Sequence, residues 1–236
     1  MPRPPAPRRP PALALVVALA GVAIGGGCRN LAPVEDDRLY RSAQLEPDEL
    51  REVVRDHGIK TVVNLRGPSP GKDWYDGEVA ACKDLGVVHR DVRLSARRWP
   101  RADEVLALLD AFDQAEYPML VHCIGGADRS GLAAAVYRID LRGHPVADAD
   151  DELTIFRGHL GPLSGTSELD DFLDLYADTG RGKPFRRWVR YDYERERDRL
   201  LDPASALRPR PPALPVAAPD APPQASSEGS SEPDED

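Results

Sequence analysis

The sequence predicts an α/β fold, with a central, mostly parallel sheet of four or five strands and helices on both faces. Three observations carry this expectation. Short apolar runs alternate with longer amphipathic segments from about residue 38 to residue 202, the order expected of strands joined by helices. Ile59 to Leu65 and Met119 to Val121 read as buried strands, as in a sheet covered on both sides. Gly58 and Gly86 follow helical patterns at the position where a left-handed residue closes a helix.

In order, Tyr40-Arg41-Ser42 is a short first strand, and Pro47 to His57 is a helix with Pro near its start and Gly58 after its end. The strand Ile59 to Leu65 leads to a second helix, Asp73 to Leu85, and then to a strand, Val87 to Val92, which runs into a loop at Ser95 to Trp99. Arg101 to Ala115 is a helix, because Val105, Leu106, Leu108, Leu109 and Phe112 keep the spacing of one face. After the strand Met119 to Val121, helices are expected at Gly131–Arg142, Ala147–His159, Ser167–Ala177 and Pro184–Leu201.

The 236 residues include 24 prolines, six of them in residues 1–11 and nine in 203–236. Both ends are therefore poor folding material. One domain is expected over 38–202, after a short linker at 29–37, and a domain of this size buries roughly 70% of its unfolded surface. The acidic Pro/Ala/Ser-rich tail, 203–236, cannot offset the entropy of ordering and is read as disordered and solvated, without chemistry.

Residues 1–28 have a basic start (Arg3, Arg8, Arg9), an apolar run from Ala12 to Ile24, and then Gly25-Gly26-Gly27-Cys28. This is the layout of a secretory signal. The run falls short of the roughly 20 residues that a spanning helix needs. Small residues ending in cysteine resemble a bacterial lipoprotein signal, in which Cys28 would be lipidated and become the new N-terminus. Gly25 departs from that pattern, which leaves an uncleaved anchor or plain secretion as the other readings. Export to the bacterial cell envelope, with a membrane tether on the periplasmic or outer face, is the expectation.

A formal charge of −9 argues against a nucleic-acid partner, which would call for a basic stripe. The cysteines at 28, 82 and 123 contain no CxxC pair, and the histidines at 57, 89, 144 and 159 show no ligand spacing. Neither a metal nor a cofactor is expected. Cys82, inside the second helix, reads as a small buried hydrophobe, or else as a partner that protects oxidised Cys123.

Val121-His122-Cys123-Ile124-Gly125-Gly126-Ala127-Asp128-Arg129-Ser130-Gly131 puts a cysteine at the end of a buried strand, then a tight loop, an arginine and a helix. Amides of residues 124–129 can form an inward-facing nest, with Gly125 and Gly126 permitting unusual dihedrals and the helix from Gly131 adding positive dipole. A tetrahedral oxyanion fits such a cradle. Arg129 offers a planar fork for two of its oxygens and, with the nest, favours a thiolate at Cys123.

HCIGGADRSG resembles the HCx5R[ST] signature of the protein tyrosine and dual-specificity phosphatases. Tyr40 to Gln44, Gly58 to Arg66 and Ala134 to Arg138 are similar to their atypical bacterial, fungal and plant branch, so the likeness spans roughly residues 38–180. It implies the cysteine phosphatase fold and a phosphocysteine formed on Cys123. Arg129 would bind the phosphate and its transition state, Ser130 would assist departure of the thiolate, and His122 would fix the loop. Ile124, Gly125, Gly126 and Ala127 would contribute their backbones to substrate binding.

The general acid is less plain. The common pattern has an aspartate after the strand–Leu-Ser run, but Ala96 follows Leu94-Ser95, and Trp99-Pro100 is followed by Arg101. Two carboxylates remain: Asp128, next to Arg129 as in lipid-directed and some bacterial secreted branches, and Asp91 at the end of its strand. Asp128 is preferred; loop stabilisation is its bland alternative. Arg90, Arg93, Arg97 and Arg98 form a loop cluster able to attract an anion or simply to be solvated. Lys183 to Arg199 reads as a mixed-charge surface helix. The leading function is hydrolysis of phosphotyrosine, with phosphoserine or phosphothreonine alongside it. Alternatives are an inositol phosphate or phosphoinositide phosphatase, a non-catalytic phosphate-binding module, and a rhodanese-type sulfur transferase, which the His122, Arg129 and Ser130 set disfavours. The expected partners are a phosphorylated protein or small molecule and a membrane.

Overall fold

The computed structural model describes residues 29–163 and 165–202. Its sheet has the order β1-β2-β5-β3-β4, where β1 is Ala32–Glu35, β2 Leu39–Ser42, β3 Thr61–Asn64, β4 Val88–Asp91 and β5 Met119–His122. β1 is antiparallel to β2 and all other pairs are parallel, so the expected mostly parallel sheet is what forms. β1 lies outside the predicted elements. Pro33 and two unburied neighbours give it no strand pattern of its own, and pairing with the buried β2 makes it one.

Successive strand residues point to opposite faces. Val62 and Leu120 therefore pack with Leu50, Val53 and Val54 of α1 (Pro47–His57) and Ala81 and Cys82 of α2 (Asp73–Leu85). Val63 and Val121 face the other way, onto α3 (Ala102–Asp113) and α4 (Asp128–Arg142), with Phe172, Trp188 and Tyr193 from later helices in the same cluster. α1 and α2 end where the sequence places them, at Gly58 and Gly86, both left-handed with φ of 62° and 68°.

Three expectations are corrected. The helix expected over Ala147–His159 is only α5 (Val146–Ala149), followed by single turns at Asp150–Glu152, Ile155–Arg157 and Gly161–Leu163. Glu152 is drawn into the interior by Arg41, the pair being 2% and 1% exposed, and Gly158 turns the chain at φ 85°. The helix expected over Pro184–Leu201 breaks at Asp192 into α7 (Phe185–Tyr191) and α8 (Tyr193–Leu201), with Asp192 taking Lys183 Nζ at 2.7 Å and Arg195 Nη2 at 2.5 Å. Trp188 and Tyr193 are fully buried, so this region is core and not a charged surface helix. Finally, α4 begins at Asp128, ahead of Gly131, and α3 stops at Asp113. α6 (Ser167–Thr179) lies close to its predicted position.

Residues through Glu196 pack as one unit; Arg197 opens another, whose described part includes an Arg197–Asp198 ion pair. No helix among the described residues is long and apolar enough to cross a membrane. Cys28 with its apolar run, and the tail from Pro203, lie outside the described residues.

Candidate active site

β5 carries His122 and, one residue on, Cys123 to the carboxyl edge of the parallel strands; α4 begins five residues later, a position where α/β sheets bind ligands. The carbonyls of the intervening loop are all held from outside. Gln44 N donates to Ile124 O at 3.2 Å, Asn30 Nδ2 to Gly125 O at 3.0 Å, and Arg41 Nη2 to Gly126 O and Ala127 O, each at 2.9 Å. Because a trans peptide points its N–H opposite to its C=O, the amides of residues 125–128 are turned the other way, toward the cavity. They make no hydrogen bond among the described residues. The amino end of α4, where Ala127 supplies no side-chain cap, faces the same space and adds partial positive charge there.

Gly126 alone of the two loop glycines needs its freedom. It sits at φ 68°, and a Cβ there would meet Ala43 N at 2.5 Å; Gly125 has no positive φ, contrary to expectation. Cys123 is 2% exposed, with Sγ 3.6 Å from Ser130 Oγ. Arg129 has a buried Nε without a hydrogen-bond partner among the described residues.

The cleft above Cys123 has a volume of about 700 Å³, and Arg66, Arg93, Arg97, Arg98 and Arg129 line it against a single carboxylate, Asp128. Arg98 is paired with Glu104. The other four have no carboxylate partner among the described residues, so positive charge is concentrated at this mouth of an acidic chain. Arg66 Cζ stands 3.3 Å from the Trp74 ring centroid and Nη1 donates to Gln44 Oε1 at 2.9 Å; burial and the neighbouring Arg129 lower its pKa. Arg90 departs from the expected cluster, donating to the Gln114 side chain at 3.1 Å.

Beneath the loop, His122 Nε2 lies 3.1 Å from Glu78 Oε2, close enough for an ion pair though off the hydrogen-bonding line. Glu78 also takes Gln44 Nε2 at 2.5 Å and His89 Nε2 at 2.8 Å. Burial works against its charge, yet these partners hold its pKa at about 2.

Of the two acid candidates, Asp128 lines the cleft and Asp91 does not. Asp91 accepts from Asn64 Nδ2 at 2.8 Å and from Tyr75 OH at 2.6 Å. Asp128 Oδ1 is 2.8 Å from His159 Nδ1; burial opposes its charge, but His159, Thr166 and Arg129 hold its pKa below the usual range. Cys82 belongs to the cluster on the opposite sheet face from Cys123, and burial pushes its thiol up to about 12. It is a buried hydrophobe and not a redox partner.

Sequence reasoning missed four residues that the fold brings here: Arg41, Arg66, His159 and Thr166. Arg41 and Arg66 lie inside the runs that carried the family resemblance, so a signal existed without a role attached. His159 gave none, since its partners are 31 and 11 residues away.

Residues 24–158, more than half of the chain, match the family described as DSP-PTPase phosphatase fused to NAD+ kinase. No curated protein matches. A putative phosphatase (DUF442) from Shewanella putrefaciens CN-32 is 20% identical with a TM-score of 0.52, the alignment covering 66% of this chain and 92% of that one. The core catalytic domain of the S. cerevisiae PP-IP phosphatase SIW14 is 20% identical with a TM-score of 0.50, covering 64% and 88%. TpbA of P. aeruginosa is 27% identical with a TM-score of 0.49, covering 61% and 83%.

Proposed function

Since the chain belongs to the dual-specificity phosphatase family described as fused to NAD+ kinase, we propose that its cleft hydrolyses phosphate monoesters through a phosphocysteine on Cys123. The observation that carries this reading is the outward tethering of four consecutive loop carbonyls, which leaves a ring of amides around a buried cysteine. A bound phosphate would place its nonbridging oxygens on those amides and on the Arg129 fork, donors already fixed where charge develops in the transition state. Cys123 attacks phosphorus opposite the leaving oxygen, and Asp128 serves that oxygen as acid. Water then attacks the phosphocysteine while Ser130, within reach of the sulfur, stabilises the departing thiolate. His122 holds the loop from below through Glu78.

The substrates proposed are phosphotyrosine proteins, with phosphoserine and phosphothreonine as slower ones. A specific observation favours a second reading, an inositol polyphosphate or phosphoinositide. Four arginines without a carboxylate partner among the described residues exceed what one phosphate requires, and no aromatic side chain among the described residues lines the cleft to stack a tyrosyl ring. A panel of phosphotyrosine peptide, phosphoserine peptide and inositol polyphosphate separates the two by relative kcat/KM. We place the catalytic domain at 38–202 and propose that Cys28 is lipidated and tethers it outside the cytoplasm. Labelled fatty acid should enter the wild-type protein in a bacterial host and not Cys28→Ala; equal membrane entry without label favours an uncleaved anchor.

Cys123→Ser tests the chemistry. It should abolish turnover of a small aryl phosphate, by about 10⁴-fold or more, while vanadate binding survives because the cradle is intact. Full activity in that variant would remove the covalent mechanism. A wild-type protein that binds phosphate without turnover would instead be the non-catalytic module.

A further inference from the structure

Asp128 poses a chemical difficulty for the reading above. An acid must hold a proton until the leaving oxygen needs it, and a carboxylate bound by a cation has already lost its own. The surroundings of His159 resolve this. His159 follows the turn at Ile155–Arg157, is 3% exposed, and is anchored by its backbone N–H on Thr154 O at 3.0 Å. Its Nδ1 faces Asp128 Oδ1 at 2.8 Å, and its Nε2 faces Asp170 Oδ2 at 2.9 Å and Oδ1 at 3.1 Å. Each ring nitrogen thus meets a carboxylate, and carboxylates only accept. With both carboxylates ionised, a neutral imidazole would turn a lone pair on one of them, so this geometry favours protons on both nitrogens. The other charges nearby are Asp150 in the turn after α5, whose charge His159 offsets, Asp174 of α6 beyond Asp170, and Arg129 beside Asp128.

We propose that His159 is the positioning residue that supplies, through Asp128, the proton taken by the leaving oxygen. The acid of this site is then a carboxylate–imidazolium pair in place of a protonated carboxyl. This rests on the phosphomonoesterase reading. As sulfur bonds to phosphorus, the P–O bond breaks and its electron pair stays on oxygen. The proton on His159 Nδ1 moves to the Asp128 carboxylate as Asp128 delivers a proton to that oxygen, leaving an alcohol or phenol, a phosphocysteine, an ionised Asp128 and a neutral imidazole. Water then attacks phosphorus and the P–S electrons return to sulfur. The proton released by water goes to Asp128 and on to His159, which restores the starting state. The hydrogen bonds of Asp128 and Asp170 raise the His159 pKa to about 9, so the proton is held throughout neutral pH and is matched to a phenol leaving group of pKa about 10.

His159→Asn keeps an N–H for Asp128 and removes the titratable proton. In the full-length protein it should slow phosphotyrosine hydrolysis about 10²-fold, leave a nitrophenyl phosphate within about threefold, and erase the alkaline limb of kcat near pH 9. Equal slowing of both substrates, or an unchanged alkaline limb, would overturn the proposal. A wild-type protein inert toward both overturns the phosphatase reading, and this role with it, before any variant is compared. Should His159→Asn fail to fold, histidine NMR of the wild type decides: His159 should stay doubly protonated to about pH 9, and a midpoint near 6.5 would overturn the assignment.

Discussion

His122 and His159 are two imidazoles, 2% and 3% exposed, each set against a buried or half-buried carboxylate. They meet the two ends of the same loop, His122 closing β5 ahead of Cys123 and His159 bonding Asp128 at the start of α4. His122 lies behind the nucleophile with Glu78, Gln44 and His89, a network whose members do not line the cleft. His159 lies at the rim with Asp128, which does. Similar pairs therefore serve different ends according to solvent and substrate access. Behind the loop, Glu78 gathers the side chains of Gln44, His89 and His122; at the rim, in the role proposed above, the attraction between His159 and Asp128 keeps a proton within reach of a leaving group.

The comparison breaks most directly at Asp128. Asp128→Asn should slow phosphotyrosine hydrolysis by about 10²–10⁴-fold and affect an activated aryl phosphate much less, with some loss of stability at neutral pH because His159 loses one of its two charge partners. Equal slowing of both would move the rim network into the same holding role as the one beneath. Glu78→Ala should do the opposite. It strands His122, His89 and Gln44 and should cost about 3–5 kcal/mol in urea unfolding, with kcat for the folded fraction changed little. A large kcat loss at unchanged stability would show that the lower network also takes part in the chemistry.

Titration sharpens the contrast, because the two networks fail at opposite ends of the pH scale. Glu78 is lowered from 4.5 to about 2, so its contribution is present above about pH 4.5 and is lost as pH falls through about 2. His159 is raised from 6.5 to about 9, so its contribution is complete below about pH 6.5 and is lost as pH rises through about 9. Melting temperature against pH should decline on the alkaline side in the wild type and not in His159→Asn. The smallest effects belong to residues in neither network. Asp91→Asn should leave turnover of every substrate near wild type, its carboxylate being engaged by Asn64 and Tyr75. Cys82→Ala should leave both the rate and the recovery of activity after mild oxidation unchanged, since it lies across the sheet from Cys123.

Legibility followed distance along the chain. α1 and α2 were readable to the residue because their amphipathic faces and terminal glycines are local signals. The helix expected over Ala147–His159 was not, because what unwinds it is Arg41, 111 residues from Glu152. The edge strand β1 was silent for the same reason, as its partner makes it a strand.

The sequence by itself determined the parallel α/β layering and the cradle, since residues 122–130 bring nucleophile, glycine, arginine and helix start together in one contiguous stretch whose geometry is set by local backbone chemistry. The tertiary structure decided everything that gives the cradle its surroundings: which donors turn its carbonyls outward, which arginines lose their carboxylates, and which histidine faces Asp128. Those are pairings between charges and dipoles, whose strength depends on separation in space and on shelter from water, and a linear pattern of residues encodes neither.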